Sequence, residues 1–123
     1  MEMILQQQDW LHYAEVYASD IIELKNFFLQ KFGVSRLNEN FGIPFLSAKK
    51  RDKIVAFASL VTNQFHQIDF VIYENSDLKE IENEDFKMKS KDYCKRKDSE
   101  NFRDPVQLQY NIERMIDWLN DAV

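Results

Sequence analysis

The side chains most able to do chemistry are two histidines and one cysteine. His12 and His66 are the only histidines and lie on separate predicted elements, so they do not predict a shared metal or acid–base site. His66 alternates with apolar residues in a predicted strand, which indicates a structural side chain rather than a ligand or base. Cys94 precedes three cations, whose charges would lower its pKa and make the thiol reactive. The sequence favours a plain surface or half-buried cysteine.

Three carboxylates form the other candidate site. Asp69 lies on a predicted strand, and Glu80 and Glu82 follow it, in an arrangement that resembles the carboxylates of metal-dependent nucleases. The Glu-x-Lys strand that would complete such a site is missing. We therefore interpret these side chains as solvated charges, and we predict no catalytic, cofactor-binding or metal-ligating residue.

Composition limits the class of protein. The chain has 123 residues, of which 45% are hydrophobic and 30% charged, as expected for one folded domain. The net charge of -5 disfavours nucleic acid and an anionic membrane as main partners. A single cysteine excludes an intramolecular disulfide, and neither a secretory signal nor a membrane-spanning run is recognisable. We expect a cytoplasmic protein.

The stretch from Lys53 to Asn75 predicts a β-hairpin. Its strands cover residues 54–61 and 65–73, with a polar break at 62–64. Both faces of the first strand are apolar, which is typical of a central strand covered on both sides, and its small residues would let a helix lie close. On the second strand we expect the core face to be that of His66, Ile68, Phe70 and Ile72. A further strand at 44–48 makes a three-stranded antiparallel meander, and Met1–Gln8 is a fourth edge strand or a loose end.

Two amphipathic helical segments accompany the meander. Apolar residues recur at spacings of three and four over residues 9–32, with a possible break at 18–20 and a stop at Gly33. A second helix covers 105–121, with Asp104 as its N-cap and Pro105 at its first position. These elements predict an α+β fold in which helices pack against an antiparallel sheet.

The segment 74–103 changes character sharply. Six acidic residues lie between Glu74 and Asp85, and six basic ones between Lys87 and Lys97. Because this part has few apolar anchors, we predict a charged, partly mobile excursion. Phe86 and Met88 alternate with lysines, as in a short exposed strand.

A family resemblance covers residues 20–75. The succession of NFFLQKFG, IPFLSAKKRDKIVAFASLV and FHQIDFVIYEN is similar to the helix and first strands of a GNAT-type N-acetyltransferase. That resemblance implies a GNAT-like scaffold, acyl transfer and acetyl-CoA as cofactor.

The cofactor motif of that family is missing. Its members bind the pyrophosphate on a glycine-containing turn, Q/R-x-x-G-x-G/A, between the fourth strand and the next helix. The corresponding stretch here, ENSDLKEIENED, has no glycine, and its carboxylates would repel a pyrophosphate. No functional residue is carried over from the family.

The sequence therefore favours a noncatalytic binding or interaction module without a cofactor, whose partner is another protein or a second copy of the chain. One alternative is a divergent GNAT-like acyltransferase that uses acetyl-CoA or CoA. Another is an acidic inhibitor or immunity-type protein that neutralises a basic target.

Overall fold

The fold is a four-stranded antiparallel sheet packed with helices, which confirms the predicted α+β class. The computed structural model describes residues 10–121. The strands lie in the order β1-β2-β3-β4, and they cover His12–Glu15 (β1), Ile43–Lys50 (β2), Lys53–Thr62 (β3) and Ile68–Glu74 (β4). The helices are Ile21–Phe32 (α1), Glu80–Arg96 (α2), the single turn Glu100–Arg103 (α3) and Pro105–Asp121 (α4). Within residues 10–121, no helix is long and apolar enough to cross a membrane.

Strand β3 is the centre of the sheet. It pairs with β2 on one side and β4 on the other, and every residue from Ile54 to Leu60 is buried. An unbroken apolar run of this kind fits only a strand covered on both faces. The predicted central strand is confirmed.

The first face of the sheet carries an aromatic cluster. Phe57 of β3 and Tyr73 of β4 are direct cross-strand partners, and both contact phenylalanines of α1. Ring centroids within the cluster lie 4.7–5.8 Å apart, a favourable range for edge-on and tilted aromatic pairs. Its members are Phe27, Phe28, Phe32, Phe41, Phe57 and Tyr73.

The opposite face is lined by small residues and covered by α2. Ala48, Ala56 and Ala58 are fully buried, and Tyr13, the cross-strand partner of Ala48, stacks on Phe86 of α2 with ring centroids 5.6 Å apart. Among the helices, α4 packs most extensively against β3. The predicted close approach of a helix to this strand is therefore made by α4 rather than by α2.

The C-terminal helix has the predicted bounds. Asp104 accepts hydrogen bonds from the amides of Val106 and Gln107 at 3.0 and 3.2 Å, which is N-capping by a side-chain carboxylate. The apolar face of α4 is buried, through Leu108, Ile112, Ile116 and Leu119.

The predicted helix over 9–32 is wrong in its first half. Residues 12–15 form β1, whose pairing with β2 is continued by a hydrogen bond of 3.1 Å from the Val16 amide to the Phe45 carbonyl. Trp10 and Tyr17, which fitted the helical period, are 56% and 64% exposed. The break at 18–20 is a 3-10 turn in which Asp20 accepts from the Tyr17 amide at 2.9 Å, and α1 then runs to Gly33. Met1–Gln8 lies outside the described residues.

The second hairpin strand starts later than predicted, at Ile68. The Asn63 carboxamide accepts from the amides of Phe65 and Gln67 at 2.9 and 3.1 Å, and so holds residues 63–67 in a loop. His66 lies in that loop with a φ of 59°, not on a strand face. The most buried residue of β4 is Tyr73, on the face opposite to the predicted core face.

Residues 80–96 form a regular helix where we predicted an irregular excursion. Phe86 and Ser90, one turn apart, are both fully buried. Four acidic side chains near the start of α2 and the cations of its last turn also suit the helix dipole. The proposed strand around Phe86 and Met88 is therefore wrong.

Two glycines with positive φ give a test of the fold, since Gly33 has a left-handed ψ of 36° and Gly42 a ψ of -156°. Gly42 has a φ of +66°, and a Cβ added there would lie 2.2 Å from the Leu60 carbonyl oxygen. Gly33 has a φ of +63°, and a Cβ added there would meet no neighbouring atom within 4 Å. We predict that Gly33→Ala lowers the free energy of unfolding by about 1 kcal/mol, from backbone strain alone. Gly42→Ala should cost about 3 kcal/mol or more, because its backbone conformation is one that essentially only glycine adopts and because β3 must also move. Urea denaturation measures both, and equal losses would contradict this packing.

Candidate binding groove beside strand β4

Helix α2 divides into a buried centre and two flanks. Side chains four apart lie on the same side of a helix, and Asp85, Lys89, Tyr93 and Lys97 make one row at this spacing. This row faces β1. A second row, formed by Asn83, Lys87 and Lys91, faces β4.

On the flank toward β1, the polar side chains of α2 are paired with residues of the strand. The Tyr13 hydroxyl donates to Asp85, and the Lys89 ammonium lies 5.0 Å from the centre of the Tyr13 ring. Two residues further along the strand, Glu15 accepts from the Tyr93 hydroxyl at 2.9 Å and pairs with Lys97 at 3.5 Å. Each row member thus has a partner on β1 or beside it.

These contacts shift the titration of the groups involved. The hydrogen bond from Tyr93, helped by the charge of Lys97, lowers the pKa of Glu15. Burial and the Asp85 carboxylate raise the pKa of Tyr13. At the start of α2, burial raises the pKa of Glu82, but the Lys50 ammonium and the Lys79 amide outweigh it and lower that pKa overall.

A groove of about 670 Å³ lies on the β1 side at this end of α2, lined by Trp10, Leu11, Tyr13, Ile81 and Asp85 among others. Its polar groups are already engaged, since Tyr13 binds Asp85 and Glu82 binds Lys50 at 2.7 Å. We therefore place the candidate site on the other flank.

The flank toward β4 is open. A groove of about 670 Å³ runs between α2 and β4, and its wall on the helix side is formed by Asn83, Lys87, Met88 and Lys91. Met88 is 69% exposed, and the buried Oδ1 of Asn83 has no hydrogen-bond partner within residues 10–121. The groove thus offers cationic and apolar side chains together.

The other wall of the groove is a sheet edge. The amide of Asn75 donates to the Val55 carbonyl, and that of Asn63 to the Gln67 carbonyl, which fixes the hydrogen-bonded pairs of the β3–β4 ladder. Because antiparallel pairs alternate, Asp69, Val71 and Tyr73 turn their backbone groups toward β3. The backbone N–H and C=O groups that point away from the sheet belong to Ile68, Phe70, Ile72 and Glu74.

Two side chains cap parts of this edge. The Asp69 carboxylate accepts from the Phe70 amide at 2.8 Å, and Lys31 donates to the Glu74 carbonyl at 2.6 Å. Natural proteins blunt exposed sheet edges with such side chains. Ile72, between the two caps, has an N–H and a C=O without a partner in the part of the chain that the structure describes.

The histidines considered from sequence are not brought together. His12 is exposed on β1, at one edge of the sheet, and His66 is exposed in the loop before β4, at the other edge. Neither lines the groove beside β4.

Cys94 is half-buried, and burial raises its pKa to about 11, with a further contribution from Asp69 that Arg103 opposes. This is the reverse of the depressed pKa that a reactive thiol requires. The three cations that follow Cys94 in sequence therefore do not activate it.

Two of the three candidate carboxylates have separate structural roles, and the third, Glu80, is exposed in the first turn of α2. Asp69 caps the β4 edge, and Glu82 binds both Lys50 and the Lys79 amide. Within the described part of the chain, no group of three or more His, Cys, Asp or Glu side chains is placed to hold a metal ion.

Sequence reasoning missed Lys87, Lys91 and Ile72 as site residues. The two lysines were recognised only as part of a basic block, although their spacing of four matches that of Phe86 and Ser90 and could have indicated a helix. The open position of Ile72 depends on the pairing register, which has no sequence signature.

Comparisons with known protein families, with curated proteins and with solved structures found no match to this chain.

The Lys50–Glu82 ion pair gives a prediction about stability and pH. The two side chains are only 14% and 20% exposed, so we expect Glu82→Gln to lower the free energy of unfolding by about 1–2 kcal/mol at pH 7. Because the folded-state pKa of Glu82 is lowered, this contribution is present above the unfolded pKa of about 4.3 and is lost as pH falls through the folded-state value.

Chemical denaturation at pH 7 and near pH 3 tests this, with Glu84→Gln on the exposed side of the same helix as the matched control. Equal stability of wild type and Glu82→Gln at pH 7 would contradict the prediction. So would a difference that survives unchanged at low pH.

Proposed function

We propose that this chain is a noncatalytic protein-interaction module, which binds an extended segment of a partner protein along β4. The observation that carries the proposal is the contrast between the two flanks of α2. On the flank toward β1 the polar side chains are paired with Tyr13 and Glu15, whereas the groove on the flank toward β4 adjoins the outward-facing main-chain groups of an edge strand.

The chemistry of the groove suits a peptide backbone. An edge strand binds an extended segment through main-chain hydrogen bonds, and neighbouring side chains supply the specificity. Ile68, Phe70, Ile72 and Glu74 supply the outward-facing groups on β4. An added strand would lie about 4.8 Å from β4, in the space bounded by Lys87, Met88 and Lys91.

A GNAT-like acyltransferase is the second candidate, and the succession of α1, β2, β3 and β4 supports it. The turn between β4 and α2, residues 75–79, has no glycine, and Glu80 and Glu82 lie in the first helical turn beyond it. These carboxylates oppose the binding of a pyrophosphate. Thermal stabilisation by CoA or acetyl-CoA would favour this candidate over the interaction module.

The edge of β4 can be tested with two substitutions at one residue. Ile72→Pro and Ile72→Ala both remove the isoleucine side chain, but only proline removes the outward N–H. The β3–β4 ladder survives in both, because the backbone groups of Ile72 point away from β3. We predict that peptides selected from a random extended-peptide library on the wild-type protein bind Ile72→Pro at least about tenfold more weakly than Ile72→Ala.

Fluorescence anisotropy with the selected peptides gives the affinities, and circular dichroism shows that both variants are folded. Equal affinity for the two variants would place the peptides elsewhere on the molecule. A library that yields no peptide dependent on Ile72 would contradict the proposed function.

A further inference from the structure

The helix side of the groove is basic, although the chain as a whole is acidic. Lys87 and Lys91 are exposed and line the groove, and neither makes an ion pair or hydrogen bond within the described residues. The lysines on the β1 flank differ, since Lys89 lies over the Tyr13 ring and Lys97 binds Glu15. Of the three α2 lysines without such a partner in this part of the chain, Lys87 and Lys91 lie beside the open strand edge and Lys95 does not.

From this arrangement we propose that the segment bound along β4 carries acidic side chains at alternate positions, which pair with Lys87 and Lys91. This inference rests on the proposed function and specifies the chemistry of its partner.

The spacing of the lysines fits an extended chain. Four residues along a helix advance about 6 Å, and two residues along a strand advance about 6.6 Å. Alternate side chains of an added strand point to the same face, so two acidic residues separated by one residue would face the two lysines. Helix α2 follows β4 after a short turn and runs back beside it, with Asn83 and Glu74 at one end of the groove and Lys91 and Asp69 toward the other.

A second copy of this chain suits the groove poorly. Two β4 strands pairing antiparallel would be related by a two-fold axis perpendicular to the sheet, so both α2 helices would lie on the same face. Lys87 and Lys91 of one copy would then approach Lys87 and Lys91 of the other. Like charges in such a position repel, whereas an acidic segment is attracted.

The Asp69 carboxylate competes with a bound segment for the edge of β4. Its carboxylate occupies the Phe70 N–H, which an added strand would need, and its charge repels an acidic partner. A bound segment must therefore displace Asp69 from the edge. Removing this carboxylate should strengthen binding, an effect that structural damage would not produce.

The experiment uses three capped nine-residue peptides in which threonine alternates with glutamate, glutamine or lysine. Titration of the ¹⁵N-labelled full chain, followed at the Ile72 amide, gives each affinity. We expect the glutamate peptide to bind about five to ten times more tightly than the glutamine peptide, and the lysine peptide to bind most weakly. The preference should shrink in 0.5 M salt.

Variants assign the preference to the lysines. The double variant Lys87→Glu with Lys91→Glu should reverse the order of the glutamate and lysine peptides, and Asp69→Ala should bind the glutamate peptide about two to five times more tightly than wild type. The matched control is Lys95→Glu with Arg96→Glu, which changes charge equally on exposed residues of α2 that do not line the groove. It should leave the order of the peptides unchanged.

Each other outcome overturns the inference. If the glutamate and glutamine peptides bind with equal affinity while library peptides still depend on Ile72, the bound segment need not be acidic. The proposed function would then stand, and the inference about the charge of the partner would be wrong. Binding of CoA in place of the peptides, lost in the lysine double variant, would assign the lysines to a phosphate ligand. A wild-type dimer in sedimentation that Ile72→Pro converts to monomer would assign the groove to a second copy.

Discussion

Strand β3 is buried along its length from Ile54 to Leu60, so both faces of the sheet have to be covered there. On one face the cover is aromatic, with Phe57 at its centre and α1 above it. On the other face, α2 covers the sheet through Phe86, which stacks on Tyr13 of β1. Helix α2 therefore has one flank toward the β1 edge of the sheet and one toward the β4 edge. The location of the candidate site depends on which polar groups on these two flanks already have partners.

The two edge strands of the sheet, β1 and β4, differ in length and in the contacts that cover them. Strand β1 has four residues, and its side chains at Tyr13 and Glu15 hold α2 through hydrogen bonds to Asp85 and Tyr93. Strand β4 has seven residues and, within residues 10–121, is capped only at Phe70 and Glu74. A long open edge promotes aggregation unless it is covered or used. Its position beside a groove with unpaired lysines is the physical basis for the proposed role in binding.

The features that were predictable from sequence are those set by local chemistry. The apolar run of β3 and the cap of α4 by Asp104 depend on residues close together in the chain, and both were predicted correctly. Strand β1 was not predictable, because its conformation is supported by Asp85 and Tyr93, which lie 72 and 78 residues from their partners. Helix α2 was missed because its buried face is narrow, and the many charges around Phe86 and Ser90 hide its period. The groove depends on both of these elements, so the site could not be located before the fold was known.

Amide hydrogen exchange along β4 tests the central claim most directly. The account predicts alternation in the free protein, with slow exchange at Val71 and Tyr73, whose amides face β3, and fast exchange at Ile72, whose amide faces outward. Phe70 should be intermediate, since its amide is held only by the Asp69 side chain. Slow exchange at Ile72, equal to that at Val71, would mean that the edge is already covered in the free protein, and it would contradict an open binding strand.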